Sequence, residues 1–233
     1  MTEPLVLIPG LNCTDALFAD QVAELGRGRA VSVADHRQDE SIAAIAARAL
    51  AAAPERFALA GLSMGGYVAL EIVRMAPARV TRLALLDTSA RPDTLEATAR
   101  RGRLMEIAGR DFPAVHGELW PILVAPARRN DAELDAKVRA MADETGPEAF
   151  VRQERAIIGR MDSRPFLASI AVPTLVLVGE HDVLTPPDHA IEMKQAIPGA
   201  SLAVIEEAGH LTALERPGEV TAALAAWLER PAA

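Results

Sequence analysis

Short, continuous apolar runs alternate along this chain with longer segments of helical pattern. Several of the runs lack polar alternation, which is typical of strands covered on both faces of a parallel sheet. The predicted strands are, in chain order, Leu5–Ile8, Ala30–Ala34, Phe57–Gly61, Leu83–Leu86, Thr174–Val178 and Leu202–Ile205. The helices predicted between and after these strands, outside residues 91–164, are Ser41–Ala53, Met64–Ala76, Asp188–Ala196 and Glu219–Glu229. The order predicts an α/β fold, with a mostly parallel six-stranded sheet, right-handed crossovers and helices on both faces.

The strand rhythm stops between residues 91 and 164, where the pattern is helical. We predict four helices there, at Thr94–Gly109, Phe112–Val124, Asp131–Glu144 and Pro147–Arg160. The stretch is too long for a loop, so we interpret it as an insertion between two strands. The chain then divides into a core of residues 1–90 and 165–233 and a helical cap of residues 91–164. The apolar residues of the cap either pack it onto the sheet or line a pocket beneath it.

Individual residues indicate where some of the predicted helices begin and end. Ser41 is a residue type that caps helix N-termini, because its hydroxyl can accept a hydrogen bond from a free backbone N–H. Pro54 and Pro77 follow the first two predicted helices and cannot continue them.

The composition restricts the classes of partner that the protein can have. The formal net charge of −8 argues against nucleic acid or an anionic membrane surface as the main partner, since both need basic patches. The N-terminus lacks the basic region and long apolar run of a signal peptide, and no stretch approaches a membrane span of ~20 residues. Cys13 is the single cysteine, so no intrachain disulfide can form. We expect a cytoplasmic protein without a membrane span, and its oligomeric state stays open. The net charge says little about a small-molecule substrate.

A glycine-rich turn follows the third predicted strand. Residues 61–65 read Gly-Leu-Ser-Met-Gly, which matches the pattern G-x-S-x-G, and a predicted helix begins directly afterwards. In a nucleophile elbow this strand–turn–helix context presents the serine, and the positive end of the helix favours an oxyanion. The alternative is a structural turn with a buried serine. We predict that Ser63 is a nucleophile, which requires a general base and an orienting acid elsewhere.

His210 is the predicted base among the five histidines of the chain. It follows the last predicted strand and precedes the last predicted helix, and Gly209 allows the loop to turn the side chain inward. This position fits the order nucleophile, acid, histidine of proteins with a nucleophile elbow.

Asp182 is the predicted acid, because it lies between Ser63 and His210 in the chain and directly follows the fifth predicted strand. Its side chain should reach the carboxyl edge of the sheet, where open α/β sheets place their ligands. Three alternatives stay open. Glu180 reads as a surface residue, Asp188 as a helix N-cap, and Asp87 as a residue that bonds the loop backbone at the end of the fourth strand.

Two backbone N–H groups are predicted to hold an oxyanion. One is the N–H of Met64, next after the nucleophile, and the other comes from the loop after the first strand. In that loop Leu11 is the first candidate and Asn12 the second, since Gly10 lets the backbone approach closely. Cys13 lies nearby without a base to pair with it, so we interpret it as a packing residue.

Together these segments resemble the α/β-hydrolase fold superfamily. The resemblance rests on P-G-L-N at 9–12, G-L-S-M-G-G at 61–66, G-E-H-D at 179–182 and E-E-A-G-H-L-T-A-L-E-R-P at 206–217. It implies the Ser63, His210 and Asp182 triad, a helical cap, and neither a cofactor nor a metal ion. Two departures stand out. Pro9-Gly10 replaces the His-Gly of most relatives, and the two leading antiparallel strands common in the family are predicted to be absent, which leaves six strands rather than eight.

The resemblance implies several functions. The first hypothesis is a serine hydrolase that cleaves carboxylic esters of small to medium acyl groups through an acyl-enzyme. The second is a C–C bond or enol-lactone hydrolase, which would need a basic patch for a substrate carboxylate, for which the candidates are Arg100, Arg101 and Arg103, or Arg128 and Arg129. The third is a non-catalytic binding protein of the same fold, because a fold alone does not define a function.

Overall fold

A computed structural model of the chain describes residues 2–230, and its centre is a single six-stranded sheet. The spatial order is β2-β1-β3-β4-β5-β6, and each neighbouring pair runs parallel. The strands are β1 (Leu5–Ile8), β2 (Val31–Val33), β3 (Phe57–Leu62), β4 (Val80–Leu86), β5 (Thr174–Gly179) and β6 (Ser201–Ile205). The structure therefore confirms the predicted parallel α/β fold with six strands.

Burial explains the continuous apolar runs. Each residue of β1, β3, β4 and β5 is buried, whereas β2 and β6, at the two edges, are partly exposed. Alternate residues of β1 enter different cores: Val6 and Ile8 pack in one hydrophobic cluster, and Leu5 and Leu7 pack in the other. A strand covered on both faces needs apolar side chains at each position.

Eleven helices are present in the described residues. They are α1 (Ala19–Leu25), α2 (Ile42–Ala52), α3 (Met64–Met75), α4 (Leu95–Ala108), α5 (Phe112–Leu123), α6 (Ala132–Thr145), α7 (Pro147–Ile158), α8 (Arg164–Leu167), α9 (Pro187–Ala196), α10 (Thr212–Glu215) and α11 (Pro217–Leu228). Helices α2, α3 and α9 contribute to one core, and α1 and α11 to the other, so helices cover both faces of the sheet.

The predicted helix ends are confirmed. The Ser41 hydroxyl accepts a hydrogen bond from the Ala44 N–H at 3.2 Å, which caps α2. Helix α2 ends two residues before Pro54, and α3 ends two residues before Pro77. The two helices therefore have the lengths that the sequence predicts to within one residue at each end.

Helices α4 to α8 occupy the chain between β4 and β5, and the described chain has no strand there. Helices α4, α5 and α7 share a small apolar cluster, in which the Phe112 and Phe150 rings lie 5.7 Å apart. Leu11, from the loop after β1, packs against this cluster. The inserted helices therefore contact the carboxyl edge of the sheet.

None of the helices within residues 2–230 combines the length and the apolarity that crossing a lipid bilayer requires.

The packing of α3 on β1 depends on a helix residue without a side chain. A Cβ atom on Gly65 would overlap the Ile8 carbonyl oxygen and would lie 2.8 Å from that of Pro9. Because both neighbours are backbone atoms, they cannot move aside without shifting β1 or the loop after it.

We expect Gly65→Ala to lower the free energy of unfolding by about 1–3 kcal/mol, because overpacking forces the backbone to shift. Urea denaturation measures this change. Gly117→Ala is the matched control, since Gly117 also lies in a helix but has open space around it. That substitution should raise stability by about 0.5–1 kcal/mol. Equal effects of both substitutions would contradict the close packing of α3 on β1.

Candidate active site

Ser63 occupies a sharp turn between β3 and α3. Its backbone lies at φ 56° and ψ −117°, a region that residues other than glycine rarely adopt. The Ser63 N–H donates to the Leu86 carbonyl at 2.9 Å, and its carbonyl accepts from the Thr88 hydroxyl at 2.7 Å. A Cβ on Gly61 would overlap the Gly65 carbonyl, so the turn closes only with glycine there. The surroundings thus hold a strained serine at the carboxyl edge of the sheet.

The structure brings Ser63, His210 and Asp182 together in one hydrogen-bonded chain. His210 Nε2 lies 2.8 Å from the Ser63 Oγ, and His210 Nδ1 lies 2.8 Å from Asp182 Oδ2. His210 and Asp182 are both buried. With Nδ1 donating to the carboxylate, Nε2 is left unprotonated and can accept a proton from the serine hydroxyl.

Asp182 is held by its own loop. Its Oδ1 accepts from the N–H groups of Leu184 and Thr185 at 2.9 and 3.0 Å, and its Oδ2 accepts from the Thr185 hydroxyl at 2.7 Å. Burial pushes the pKa of Asp182 upward, but the charge and hydrogen bond of His210, with those of Thr185, lower it below its ordinary value overall. The carboxylate therefore stays ionised and fixes the orientation of the imidazole.

The pKa of His210 shows the reciprocal effect. Burial pushes it downward, but the negative charge and hydrogen bond of Asp182 raise it above the ordinary value of histidine. An imidazole that faces a serine hydroxyl on one side and a carboxylate on the other is a stronger base than one in water. The arrangement can therefore abstract a proton from Ser63 and stabilise the resulting imidazolium.

The other carboxylates lie in different positions. Asp87 is fully buried, and it accepts from the Gly179 N–H at 2.9 Å and from the Thr212 hydroxyl. Burial and the nearby charge of Asp182 raise the pKa of Asp87 well above its ordinary value. Within residues 2–230 the side-chain hydrogen bonds of Asp87 thus reach the last residue of β5 and the Thr212 hydroxyl, but not His210.

Two further candidates lie outside the hydrogen-bonded chain. Glu180 is exposed and accepts from the Glu207 N–H at 3.0 Å. The interpretation of Asp188 as an N-cap is wrong, because Pro186 occupies the N-cap and Asp188 lies in the first turn of α9. The reason is Pro187, whose fixed φ suits the first helical position and moves the N-cap two residues earlier, from Asp188 to Pro186.

The loop that carries His210 depends on a residue that sequence reasoning missed. Glu215 is buried, and its two oxygens accept from the N–H groups of Gly209 at 2.8 Å and Ala125 at 2.7 Å. The His210 N–H donates to the Leu123 carbonyl at 3.0 Å. Glu215 ends α10 within the motif E-E-A-G-H-L-T-A-L-E-R-P, so its position was visible, but its backbone partners were not.

The loop after β1 is held by a second missed residue. The Asn12 N–H donates to Gln153 Oε1 at 2.9 Å, and the Gln153 amide nitrogen donates to His36 Nδ1 at 3.0 Å. Gln153, on α7, is fully buried. The N–H of Asn12, the second candidate for an oxyanion donor, is therefore occupied. Within residues 2–230 the N–H groups of Leu11 and Met64 donate to no acceptor.

Cys13 has the surroundings of a packing residue. It is buried, and burial raises the pKa of its thiol to about 12. The thiolate is the nucleophilic form, so this thiol is inert near neutral pH.

A cavity of about 870 Å³, counting its open mouth, lies over Ser63 and His210. Its apolar lining includes residues of the inserted helices: Leu104, Leu119, Leu123, Val138 and Ile157. Its polar lining includes Tyr67, Arg100, Arg101, His116 and Glu154. Apolar side chains with a few polar groups among them are typical of a small-molecule site. Of the predicted basic residues, Arg100 and Arg101 line this cavity, whereas Arg103 is exposed to solvent and Arg128 is paired with Asp131.

Comparison with known proteins identifies the family. Residues 32–217 match the family model described as alpha/beta hydrolase fold. The chain belongs to the α/β-hydrolase fold family. As a hydrolase of this fold, it has esterases among its relatives at about 30% sequence identity.

Individual α/β-hydrolases match over nearly the whole chain. A thermophilic esterase from Thermogutta terrifontis, solved with malate bound, is 32% identical, with a TM-score of 0.89 over 98% of this chain and 90% of the other. The enol-lactonase from Burkholderia xenovorans LB400 is 25% identical, with a TM-score of 0.88 over 99% and 92%. A pimeloyl-[acyl-carrier protein] methyl ester esterase from Vibrio parahaemolyticus is 27% identical over 88% of this chain and 86% of its own.

The part of the α/β-hydrolase that the structure describes contains no group of three or more His, Cys, Asp or Glu side chains arranged to hold a metal ion.

His36, behind the loop after β1, should make the protein sensitive to acid. Burial lowers the pKa of His36 to about 4, from an ordinary 6.5. Between these values the unfolded chain binds a proton that the folded chain excludes, so stability falls as the pH falls through that window. Between pH 7 and pH 4, we expect the free energy of unfolding of wild type to fall by about 3 kcal/mol more than that of His36→Gln.

Urea denaturation at a series of pH values measures this difference. The control is His181→Gln, because the His181 side chain is exposed and paired only with the exposed Glu180. A pH dependence for His36→Gln that parallels wild type would contradict a buried, neutral His36.

Proposed function

We propose that the protein is a serine hydrolase that cleaves carboxylic esters of small to medium acyl groups through an acyl-enzyme. The observation that supports this most strongly is the continuous chain Asp182–His210–Ser63, in which both linking distances are 2.8 Å and the serine opens into a cavity. The 32% identical esterase supports the same chemistry.

The first half of the reaction forms the acyl-enzyme. Ser63 Oγ attacks the ester carbonyl carbon while His210 Nε2 takes the hydroxyl proton, and Asp182 stabilises the imidazolium. The tetrahedral intermediate collapses as the C–O bond to the alcohol breaks. The imidazolium gives its proton to the leaving oxygen, so the alcohol departs neutral and the acyl group stays on Ser63.

The second half regenerates the serine. A water molecule enters the site, gives a proton to His210 and attacks the acyl carbonyl. Collapse of this second intermediate breaks the bond to Ser63 Oγ, which recovers the proton from the imidazolium. The products are one carboxylic acid and one alcohol for each water consumed.

Two backbone donors stabilise the oxyanion in this proposal. They are the N–H groups of Leu11 and Met64, which have no acceptor in the described residues. Met64 is also the first residue of α3, whose positive end adds to the stabilisation. Loss of one such donor typically costs about 10²–10³ in rate.

Residues 91–164 act as the cap of this site in our proposal. Helices of this segment contribute about half of the apolar lining over Ser63. The leucines of the lining favour aliphatic groups over polar ones.

A second candidate, an enol-lactone or C–C bond hydrolase, is favoured by one specific observation. Arg100 and Arg101 line the cavity, where a substrate carboxylate could bind. The enol-lactonase at 25% identity supports this direction. The same serine, base and acid would act in both reactions.

Methyl and p-nitrophenyl esters of rising acyl length test the main proposal. We expect the highest kcat/KM for acyl chains of about two to eight carbons, and a loss of at least about 10³-fold in kcat for Ser63→Ala. Circular dichroism must show that the variant is folded. If the folded wild type hydrolyses no ester, or if Ser63→Ala hydrolyses esters equally well, the proposed reaction is wrong. A kcat/KM far higher for enol-lactones would select the second candidate.

The identity of the catalytic acid is tested by replacing each of the two aspartates, Asp182 and Asp87, with asparagine. Asp182→Asn should lower kcat by about 10⁴-fold, because the amide favours the wrong tautomer of His210. Asp87→Asn should retain activity within about tenfold, because Asn has the same shape and Asp87 bonds Gly179 and Thr212 rather than His210.

The pH profile adds a second readout. The limb of kcat/KM that reports His210 should lie above the ordinary histidine pKa in wild type, because Asp182 raises it. In Asp182→Asn that limb should move to lower pH, since the negative charge is gone. Full activity in Asp182→Asn together with an inactive, folded Asp87→Asn would reverse the assignment.

A further inference from the structure

The wall of the cavity that faces Ser63 from α4 and α7 is charged. We name it the charged wall and define it as Arg100, Arg101 and Glu154, with Tyr67 of α3 beside them. The rest of the lining includes several leucines, among them Leu104 of the same helix α4. A substrate that fills this cavity therefore meets apolar side chains along part of its length and ionised groups at one place.

Most of the charge on the wall is already paired. The Arg101 guanidinium lies 2.7 Å from Glu154 Oε2 and 3.4 Å from Asp93 Oδ1. Arg160 lies 2.8 Å from the same Asp93 oxygen and packs over the Tyr67 ring at 4.5 Å. These contacts hold Arg101 and Arg160 in place and match two of the positive charges with two negative ones.

Arg100 is the charge that remains. Within residues 2–230 it forms no ion pair and no hydrogen bond, and its Nε is buried without a partner. Arg100, Arg101 and Arg160 oppose only Asp93 and Glu154, so the group carries one surplus positive charge beside the site. Arg100 is half-buried, and its buried Nε has lost contact with water without gaining a partner, so an anion placed against it would supply the missing hydrogen bond.

We propose that Arg100 binds a carboxylate of the substrate, so that Ser63 acts on esters that carry a carboxylate at the end remote from the scissile bond. The inference rests on the proposed ester hydrolysis and names its substrate class. A planar guanidinium suits a carboxylate, because its parallel N–H groups match the two oxygens.

Glu154 Oε1 favours a different ligand. It is buried and has no hydrogen-bond partner in the described chain, so it could accept from a substrate hydroxyl or attract an ammonium group. However, the charge of Glu154 is matched by Arg101, whereas that of Arg100 is not. The field of the wall therefore favours an anion, and a cationic ester is the competing ligand that the test must include.

The test compares esters of similar length whose remote end group is neutral, anionic or cationic. On the acyl side, methyl pentanoate is compared with monomethyl glutarate. On the alcohol side, butyl acetate is compared with 4-acetoxybutanoate and with 4-acetoxybutyl-trimethylammonium. Hydrolysis is followed in a pH-stat. We expect the carboxylate ester to exceed its neutral partner in kcat/KM by about tenfold or more on one side, mainly through KM.

Three variants link the preference to one side chain. Arg100→Gln should bring the ratio of charged to neutral kcat/KM close to one, and Arg100→Lys should keep part of the preference. Arg103→Gln, on the same helix but exposed, should keep it fully. The proposal is overturned if the carboxylate ester exceeds its neutral partner on neither side, if the cationic ester is the best substrate of all, or if the carboxylate preference survives in Arg100→Gln.

A binding measurement separates this proposal from the hydrolytic one. Calorimetry with Ser63→Ala compares monomethyl glutarate and 4-acetoxybutanoate with their neutral partners. Binding that depends on Arg100 without turnover by wild type would contradict the proposed hydrolysis and support the carboxylate site. Turnover of neutral esters that depends on Ser63, without a preference for carboxylate, would contradict the carboxylate site alone.

Discussion

The conformation of Ser63 is the constraint on which the rest of the site depends. A residue with a side chain at φ 56° and ψ −117° costs about 1–3 kcal/mol, so it persists only where its surroundings leave no alternative. Here β4 accepts its N–H, Thr88 holds its carbonyl, and α3 packs against β1 through Gly65. The same contacts direct the hydroxyl towards His210. The strain energy of the Ser63 turn is therefore offset by its hydrogen bond to β4 and by the close packing of α3 against β1.

The inserted helices are joined to the sheet edge at two buried points. On α7, Gln153 accepts from the N–H of Asn12 and so holds the loop after β1. At the end of α5, the Leu123 carbonyl accepts from His210 and the Ala125 N–H donates to Glu215. Movement of these helices would therefore shift the loop that carries His210 and the loop beside Ser63. The segment that forms nearly half of the cavity lining also helps to position the groups beneath it.

Much of the fold could be predicted because β1, β3 and β5 are buried on both faces, which requires continuous apolar runs. Strand β4 begins three residues before the predicted Leu83. The charged Arg82 interrupts the continuous apolar run by which the other central strands were predicted. Arg82 tolerates this position because it pairs with Glu3 and donates to the Arg230 carbonyl. Helix α1 was missed for a similar reason: Gln21 faces the interior, where its amide bonds the Ala213 carbonyl.

The candidate site was less predictable than the fold. Chain order suggested Ser63, Asp182 and His210, but Asp87 also ends a strand at the same edge, and only distances distinguish their contacts. The pairs that hold the loops join distant parts of the chain: Asn12 with Gln153, and Ala125 with Glu215. Gln153 lies within helix α7, and Glu215 ends the four-residue helix α10. Nothing in the sequence around either residue indicates that it holds a loop, because the backbone N–H groups that they bond come near only in the folded chain.

The central claim is that the fold makes the hydroxyl of Ser63 unusually nucleophilic. The most direct measurement is the reaction of the intact protein with a fluorophosphonate, followed by mass spectrometry of the digested protein. We predict a single adduct on the peptide that contains Ser63, formed at a rate that rises with pH as His210 loses its proton. A folded protein that stays unlabelled, or that carries the label on another residue, would contradict the account.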